Sequence, residues 1–284
     1  MNNKKIPTVN KVKRFVGKSI NDIFKIFCAL MFIFPFYWMV ATSFKTYVES
    51  EQFPPTLYPH EWTLEGYITV FEGLDLWMYL KNSLIVIVAV IALQLLVSVP
   101  AAYAYAVYRF KFSGVLFALV LVAFMIPSQV TFIAIYVMFA KMKLLKTYWP
   151  QILPFGANAF GIFMLRQHFK QISTELIESA RLDQASEINI MMKIMLPMAK
   201  PTMVTICLLS FISHWNGYFW PLVMTNAEEI RPLTIAISKL KDLELGVVWP
   251  TIMAGNALLV VPMLLLFLAA SKKIIASMAY RGVK

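Results

Sequence analysis

Six stretches of the chain contain no Asp, Glu, Lys or Arg, and none of them is shorter than 19 residues. These charge-free runs are residues 26–44, 82–108, 112–140, 147–165, 201–227 and 245–271. A helix of 19 residues is about 28 Å long, close to the ~30 Å hydrocarbon core of a bilayer, so each run predicts a spanning helix. The runs lack the period-two alternation of barrel strands. We therefore predict an all-α integral membrane protein with six transmembrane helices.

Composition agrees with exposure to lipid. Hydrophobic residues make up 60% of the 284 residues and charged residues 14%, against roughly 45–50% and about 25% in soluble domains. A globule surrounded by water would lack the polar residues to cover its surface. The two cysteines, Cys28 and Cys207, both fall in predicted spans, which indicates small buried hydrophobic side chains rather than a disulfide framework or a zinc site.

The net charge of +11 is distributed unevenly between the two sides of the predicted bundle. The segments on one side, which together carry +13, are 1–25, 109–111, 166–200 and 272–284. Those on the other side, which together carry −2, are 45–81, 141–146 and 228–244. By the positive-inside rule both termini are cytoplasmic, in a multi-pass protein of the cytoplasmic (inner) membrane. The basic surplus thus indicates topology rather than nucleic-acid binding, with the three lysines of 141–146 as the exception.

Residues suited to catalysis or metal binding are scattered. The three histidines, which fall in an external loop, a cytoplasmic loop and a span, are His60, His168 and His214. The predicted spans contain no carboxylates, which argues against proton-relay transporters and intramembrane hydrolases. Gly17-Lys18-Ser19 matches the end of a phosphate loop, but Val12 stands where the leading glycine is needed. We expect a non-catalytic chain that binds no metal and no cofactor of its own.

The cytoplasmic segment 166–200 predicts a pair of short helices. Ser173 is a good N-cap, so a first helix should begin there and run to about Leu182. Asp183 can end this helix and cap a second one, Ser186 to Leu196, which stops before the following proline. The polar residues Glu178, Arg181, Asp183 and Glu187 keep this segment out of lipid. We expect a knob on the cytoplasmic face that suits a soluble partner.

This segment resembles the EAA loop of binding-protein-dependent ABC importer permeases, in the carbohydrate branch of that family. The family pattern is roughly E-A-A-x-x-D-G-A, followed by an aromatic residue six positions on, then L-P and a second proline. The residues that fit it are Glu178, Ala180, Asp183, Ala185, Leu196, Pro197 and Pro201. Those that depart from it are Ser179, Gln184 and Met191. Gln184 replaces a glycine that permits a tight turn. An interfacial amphipathic hairpin between spans is the alternative interpretation.

Further fragments in the same order carry the resemblance along nearly the whole chain. They include Ala41-Thr42-Ser43-Phe44-Lys45, Asn82-Ser83-Leu84, Tyr103-Ala104-Tyr105-Ala106, Ile126-Pro127-Ser128-Gln129, Trp215-Asn216 and Trp220-Pro221-Leu222. The chain is most similar to the shorter, maltose-type second permease subunit of a permease heterodimer. The resemblance implies the type I ABC importer permease fold, with 166–200 as the coupling-helix loop.

For function, the resemblance implies the transmembrane subunit of an ATP-driven sugar or oligosaccharide importer that forms half of the translocation path. The implied partners are a second permease subunit, two ATPase subunits that hold ATP and Mg²⁺, an extracytoplasmic solute-binding protein, the sugar and membrane lipid. The implied ATPase-coupling residues are Glu178, Ala180, Asp183, Gln184 and Ala185. In such heterodimers the longer partner holds most of the sugar contacts.

Polar and aromatic side chains within the spans are candidates for the translocation path. They are Gln94, Gln129, Trp215 and Asn216. Interhelical hydrogen bonding and packing are the alternative roles for these side chains. No predicted span contains Arg or Lys, which slightly favours a neutral sugar. A six-helix secondary transporter or channel that is not driven by ATP remains the alternative function, although it would normally place titratable or ion-binding groups in its spans.

Overall fold

The computed structural model describes residues 8–241 and 247–279, and all regular structure within these ranges is helical. The helices are α1 (Thr8–Ser43), α2 (Tyr47–Glu51), α3 (Glu65–Gly73), α4 (Leu76–Val107), α5 (Ser113–Met125), α6 (Ser128–Lys141), α7 (Trp149–Ile152), α8 (Ala159–Phe169), α9 (Thr174–Leu182), α10 (Glu187–Met198), α11 (Lys200–Trp215), α12 (Phe219–Met224), α13 (Leu233–Lys239) and α14 (Trp249–Ala279). Short 3₁₀ turns lie at Leu153–Phe155 and Glu228–Ile230. Parts of both predicted tails, of the loop 228–244 and of the run 245–271 lie outside the described residues.

Three of the described helices are long and apolar enough to cross a membrane: α4, Asn21–Ser43 within α1 and Trp249–Leu268 within α14. Two further pairs of helices are long and apolar enough to cross a membrane only if the two helices of each pair are taken together. The pair α5 and α6 is bent by 93°, and the pair α10 and α11 by 78°. The described part of the chain therefore offers three spans, or five if each bent pair is one span. The prediction of six spans stays a prediction.

Three charge-free runs do not form single helices. Run 112–140 breaks at Ile126, whose extended backbone (φ −74°, ψ 120°) is the conformation favoured before a proline. Run 147–165 divides into α7, a 3₁₀ turn and α8. Within run 201–227, α11 ends at Trp215 and the next helix, α12, begins at Phe219. Lack of charge therefore identified apolar segments, but prolines and local hydrogen bonds decided where their helices end.

Side chains hydrogen-bond the backbone groups that the break in run 147–165 leaves without helical partners. Gln94 of α4 donates its Nε2 to the carbonyl of Phe155 at 3.0 Å, and so satisfies an oxygen freed by the interrupted helix. Asn158 then caps α8, because its Oδ1 accepts the amide of Gly161 at 2.9 Å. These bonds replace the backbone bonds of a continuous span.

Among the described residues, one compact unit comprises 8–73, 240–241 and 247–258. Within it Lys45 is only 2% exposed, and its ammonium group donates to the carbonyl of Thr56 at 2.5 Å. The same ammonium lies 4.6 Å from the ring centroid of Trp38, a cation–π contact. Gly66 of α3 lies against the first turn of α14, where a Cβ atom would come within 2.9 Å of the Pro250 backbone. Only glycine allows that approach.

The second unit comprises the described residues 74–239 and 259–279, with α4 packed against α8 and α11. A core of buried residues in it includes Val99, Ala102, Tyr103, Leu165, Phe169, Ile177, Ala180, Ile190, Met195 and Ile206. This core is continuous from α4 and α8 into the predicted coupling loop. The loop is therefore attached to the bundle by an apolar face, which transmits displacement because packed interiors have low compressibility.

Candidate functional site

A cavity of about 240 Å³ lies inside the second unit. Its aromatic lining consists of Phe132, Phe155, Tyr218, Phe219 and Trp220. Its polar lining consists of Ser83, Ser128, Gln129, Gln151, Ser213 and His214. None of the lining residues is Asp, Glu, Lys or Arg. The cavity can therefore offer aromatic faces and neutral hydrogen-bonding groups, but no counter-charge.

The aromatic rings of the cavity hold one another in place. Phe132 lies 4.9 Å from Phe219 and 5.2 Å from Trp220 between ring centroids, and Phe155 lies 5.1 Å from Trp220. The indole Nε1 of Trp220 donates to the carbonyl of Pro150 at 2.9 Å, which fixes the orientation of that ring. These rings lie in α6, in α12 and in the 3₁₀ turn that interrupts run 147–165. The interruptions of the predicted spans therefore form part of the cavity wall.

Of the four predicted path residues, Gln129 lines this cavity and the other three do not. Gln94 is buried and bonded to the interrupted segment as described above. Trp215 is 3% exposed, stacks on Phe211 and donates its Nε1 to the carbonyl of Leu259 at 3.0 Å. Asn216 ends α11 and donates to the carbonyl of Ile212 within that helix. The contacts of these three residues are those of internal packing and capping.

The predicted coupling loop begins as expected, with Ser173 before α9 and Asp183 after it. Gln184 follows with φ +59°, in the left-handed region that favours glycine. The amide of Gln184 donates to the carbonyl of Arg181, and the amide of Ala185 donates to the carbonyl of Ala180, both at 3.0 Å. These two bonds form a Schellman motif, the usual glycine-dependent helix end. The tight turn of the pattern is thus present although its glycine is absent.

The loop has one buried and one exposed face. Ile177 and Ala180 of α9 and Ile190 of α10 are buried in the core. Glu178, Asp183 and Gln184 are exposed on the opposite side. Two large apolar side chains are also exposed there, Leu182 at 85% and Ile188 at 70%. An exposed surface that combines apolar and acidic groups is typical of a protein contact.

Glu187 connects the loop to α4. Its carboxylate accepts the guanidinium of Arg181 at 2.8 Å and the hydroxyl of Tyr103 at 2.5 Å. These hydrogen bonds lower the pKa of Glu187 to about 2, first through Arg181 and then through Tyr103. We call these three residues the Glu187 cluster. Sequence reasoning noted Glu187 and Arg181 only as polar groups of the knob, because no local spacing pairs either of them with α4.

The second helix of the loop differs from the prediction. It begins with Ser186 as N-cap, as expected, but Ile190–Met195 forms a π-helical stretch and the helix continues through Pro197 to Met198. Pro197 is tolerated because it falls in the first turn of the α-helical end, where an N–H has no partner within the helix. The bend before α11 is supported by His168, whose Nε2 contacts the carbonyl of Met198 at 3.0 Å.

Comparison with known proteins assigns the family. Residues 94–278 match the family described as "Binding-protein-dependent transport system inner membrane component". The chain belongs to this family. The matched residues include the Glu187 cluster and every described lining residue of the cavity except Ser83, Val86 and Ile87.

Individual relatives agree with this assignment. The permease is 31% identical over 261 residues to an arabinooligosaccharides transport system permease protein, AraQ, of Halalkalibacterium halodurans, covering 91% of this chain and 93% of the relative. It is 33% identical over 252 residues to a putative ABC transporter permease protein of Caldicellulosiruptor sp., covering 88% and 91%. A crystal structure of a bacterial ABC transporter involved in the import of the acidic polysaccharide alginate contains a chain with a TM-score of 0.81 and 26% identity, covering 94% of this permease and 98% of that chain. The type I importer permease fold follows from this likeness.

The left-handed Gln184 supports a prediction for this permease. Gln184→Gly is expected to raise the free energy of unfolding by about 0.5–1 kcal/mol, because glycine reaches the left-handed region without a Cβ clash. Thermal unfolding in detergent would measure the gain, and hydrogen exchange at the Ala185 amide should slow with it. The matched control is Gln184→Ala, which keeps a Cβ and should give no gain. Equal stability of the glycine and alanine variants would contradict the strain at this position.

Proposed function

We propose that this permease is the transmembrane subunit of an ATP-driven importer of a sugar or oligosaccharide, and that it forms half of a translocation path. The observation that carries the proposal is the loop 166–200, which contains the EAA pattern, exposes Glu178, Asp183 and Gln184 on one face and packs its opposite face into the core of α4 and α8. The relative named for arabinooligosaccharides and the structure described for alginate support a carbohydrate substrate.

In this proposal the chain has six membrane spans and both termini in the cytoplasm, as the charge asymmetry of the loops favours. A second permease subunit completes the path. Two ATPase subunits, which hold ATP and Mg²⁺, contact the exposed acidic and apolar face of the loop. A solute-binding protein docks on the opposite side of the membrane. The chain itself is non-catalytic and uses no cofactor.

Coupling follows from rigid attachment. Closure of the ATPase subunits displaces the exposed face, and the buried face passes the displacement to α4 and α8. The path then alternates between inward-open and outward-open states, each favoured by different contacts of the nucleotide-bound and free ATPase. Glu178 and Asp183 act in this contact by charge and hydrogen bonding.

The test is co-expression of the permease with a candidate second permease, ATPase and binding protein from the same organism, followed by reconstitution into vesicles. We expect ATP hydrolysis that rises when the binding protein and its sugar are added, and sugar uptake that requires ATP. Uptake driven by an ion gradient without ATP would overturn the proposal and favour the secondary transporter.

A further inference from the structure

The turn between α6 and α7 is the exception to the charge asymmetry of the chain. Its three lysines, which are all exposed, are Lys141, Lys143 and Lys146. None of the three forms an ion pair with a carboxylate among the residues that the structure describes. Positive charges so close together repel one another, and an anion placed among them offsets that repulsion. The turn therefore offers a surface that suits an anion.

Backbone hydrogen bonds hold this turn in one conformation. The amide of Leu144 donates to the carbonyl of Phe139, and the amide of Lys143 donates to that of Ala140, both at 3.0 Å. These bonds form a Schellman motif whose left-handed residue is Lys143, with φ +58°. Glycine reaches this conformation without strain, so a lysine here adds charge at a conformational cost. Strained residues of this kind cluster at functional sites and ligand clamps.

The neighbouring segment fixes the turn but does not neutralise it. Leu145 is buried, and its carbonyl accepts the amide of Asn226 at 3.0 Å. Two residues further along that segment, the carboxylate of Glu228 is already paired with Arg231 and Lys239. A fixed backbone thus presents the three lysines to a partner other than this carboxylate.

The flanking segments place the turn at the surface of the membrane. It connects the charge-free runs 112–140 and 147–165. Along α6, Val130, Ile133 and Val137 form an exposed apolar stripe, and Lys141 continues this stripe at the same helical spacing. Lysine stems cover apolar surface while their ammonium groups reach the polar boundary. The ammonium groups therefore lie in the headgroup layer, which is about 5–7 Å thick on each side of the hydrocarbon core.

The surroundings of the lysines favour a lipid over a soluble protein. Met142 and Trp149 are exposed beside them. Basic and aromatic side chains next to apolar ones are typical of the membrane interface. Only residues 142–148 separate α6 from α7, and a turn this short stays within the headgroup layer, where lipid phosphates are the nearest anions. Free phosphate lacks the acyl chains that the apolar stripe can contact.

We propose that the turn 141–146 binds the headgroup phosphate of an anionic phospholipid, whose acyl chains lie along the apolar stripe of α6. The topology proposed above places this lipid in the outer leaflet. The inference goes beyond the proposed function, because such binding requires neither sugar nor ATP.

The test measures equilibrium binding of phosphatidylglycerol with a fluorescent acyl chain to the complete transporter in nonionic detergent. Phosphatidylcholine with the same label is the neutral probe, and we expect it to bind far more weakly. The variant that combines Lys141→Gln, Lys143→Gln and Lys146→Gln should lose phosphatidylglycerol affinity roughly hundredfold, since each lysine near an anionic surface contributes about fivefold. The matched control changes three exposed lysines that are distant from one another in the chain, and should leave the affinity unchanged: Lys18→Gln, Lys81→Gln and Lys241→Gln.

Variants of Lys143 distinguish lipid binding from a structural role. Lys143→Gly removes one charge and the left-handed strain, so the affinity should fall about fivefold while the midpoint of thermal unfolding without added lipid rises. Lys143→Arg keeps the charge and should keep the affinity. A midpoint that falls together with the affinity in Lys143→Gly would assign this lysine to the fold and overturn the inference.

Other results would also overturn it: equal losses in the two triple variants, equal binding of phosphatidylcholine, or displacement of phosphatidylglycerol by the same concentration of inorganic phosphate. If the turn variant binds phosphatidylglycerol normally but its ATP hydrolysis is no longer stimulated by the binding protein, the lysines contact that protein and not a lipid. None of these results bears on ATP-driven uptake by the unmodified transporter, which tests the proposed function separately.

Discussion

Glu187→Ala is expected to reduce ATP-driven uptake by roughly tenfold or more while the protein still inserts into the membrane. The substitution leaves the hydroxyl of Tyr103, a residue only 4% exposed, without its acceptor, and it releases Arg181. An unsatisfied buried group costs about 1–3 kcal/mol, and 1.4 kcal/mol corresponds to a factor of ten in a population. The apolar face keeps the loop folded, but its attachment to α4 loosens. Uptake into vesicles and hydrogen exchange across α9 and α10 measure the effect.

Tyr103→Phe provides the control for this cluster. It removes the hydroxyl but keeps the ring in the core and the Arg181–Glu187 pair intact, so its own effect should be small. The double variant Tyr103→Phe with Glu187→Ala should be less impaired than the sum of the two single variants, because it leaves no buried hydroxyl unpaired. Strictly additive losses would show that the Tyr103–Glu187 bond does not connect the loop to α4.

The Glu187 cluster also has an expected pH dependence. Arg181 and Tyr103 hold the pKa of Glu187 at about 2, below the ordinary glutamate value, so the carboxylate stabilises the folded loop above that ordinary value. The contribution is lost as the pH falls through about 2. Hydrogen-exchange protection of the loop, corrected for intrinsic exchange, should therefore be constant from pH 8 to pH 5. A loss of protection between pH 6 and pH 5 that is absent in Glu187→Ala would contradict this assignment.

Asp183→Lys is expected to uncouple the transporter, with uptake reduced at least tenfold and membrane insertion unchanged. Asp183 is exposed and ends α9 beside the exposed side chain of Leu182, so reversal of its charge changes the face proposed to contact the ATPase without disturbing the core. Misplaced like charges at an interface cost several kcal/mol. ATP hydrolysis and uptake measured in the same vesicles would show whether the two are separated.

Glu175→Lys makes the same change of charge at the other end of α9 and is the matched control. Glu175 is exposed in the first turn and lies outside the EAA pattern, so we expect only the small cost of a cation near a helix N-terminus. Equal losses in the two variants would indicate a general charge effect on the loop. Normal uptake by Asp183→Lys would remove this turn from the proposed ATPase contact.

Local patterns predicted much of the coupling loop. Ser173, Asp183 and Ser186 marked helix boundaries correctly because capping depends on residues a few positions apart. The tight turn forms at Gln184 because the two Schellman bonds and the packing of Ala180 and Ala185 in the core outweigh the left-handed strain of a non-glycine residue. The continuation of the second helix through Pro197 was not predicted, since it depends on the π-helical stretch before it.

The sequence did not predict which distant residues each polar side chain of the spans contacts. Gln129 was placed on the path from its depth in a charge-free run, and it does line the cavity. Gln94 and Trp215 also lie deep in charge-free runs, but their side-chain N–H groups donate to backbone carbonyls of other segments. Gln151 also lines the cavity, although the sequence analysis did not name it. Its depth in a charge-free run was the one signal that could have identified it. Depth in a run shows that a polar group needs a partner, but not which partner it has.

By itself the sequence indicated the apolar segments, the helical class and the family, because hydropathy and the EAA spacing are properties of residues near one another in the chain. Only the tertiary structure decided where the apolar runs break, that Glu187 meets Tyr103, and that residues of α4, α6, α7, α11 and α12 line one cavity. Such arrangements depend on contacts between distant groups, and Glu187 and Tyr103 are 84 residues apart in the chain. Such contacts are selected by packing and by the cost of leaving buried polar atoms unpaired, which no local pattern records.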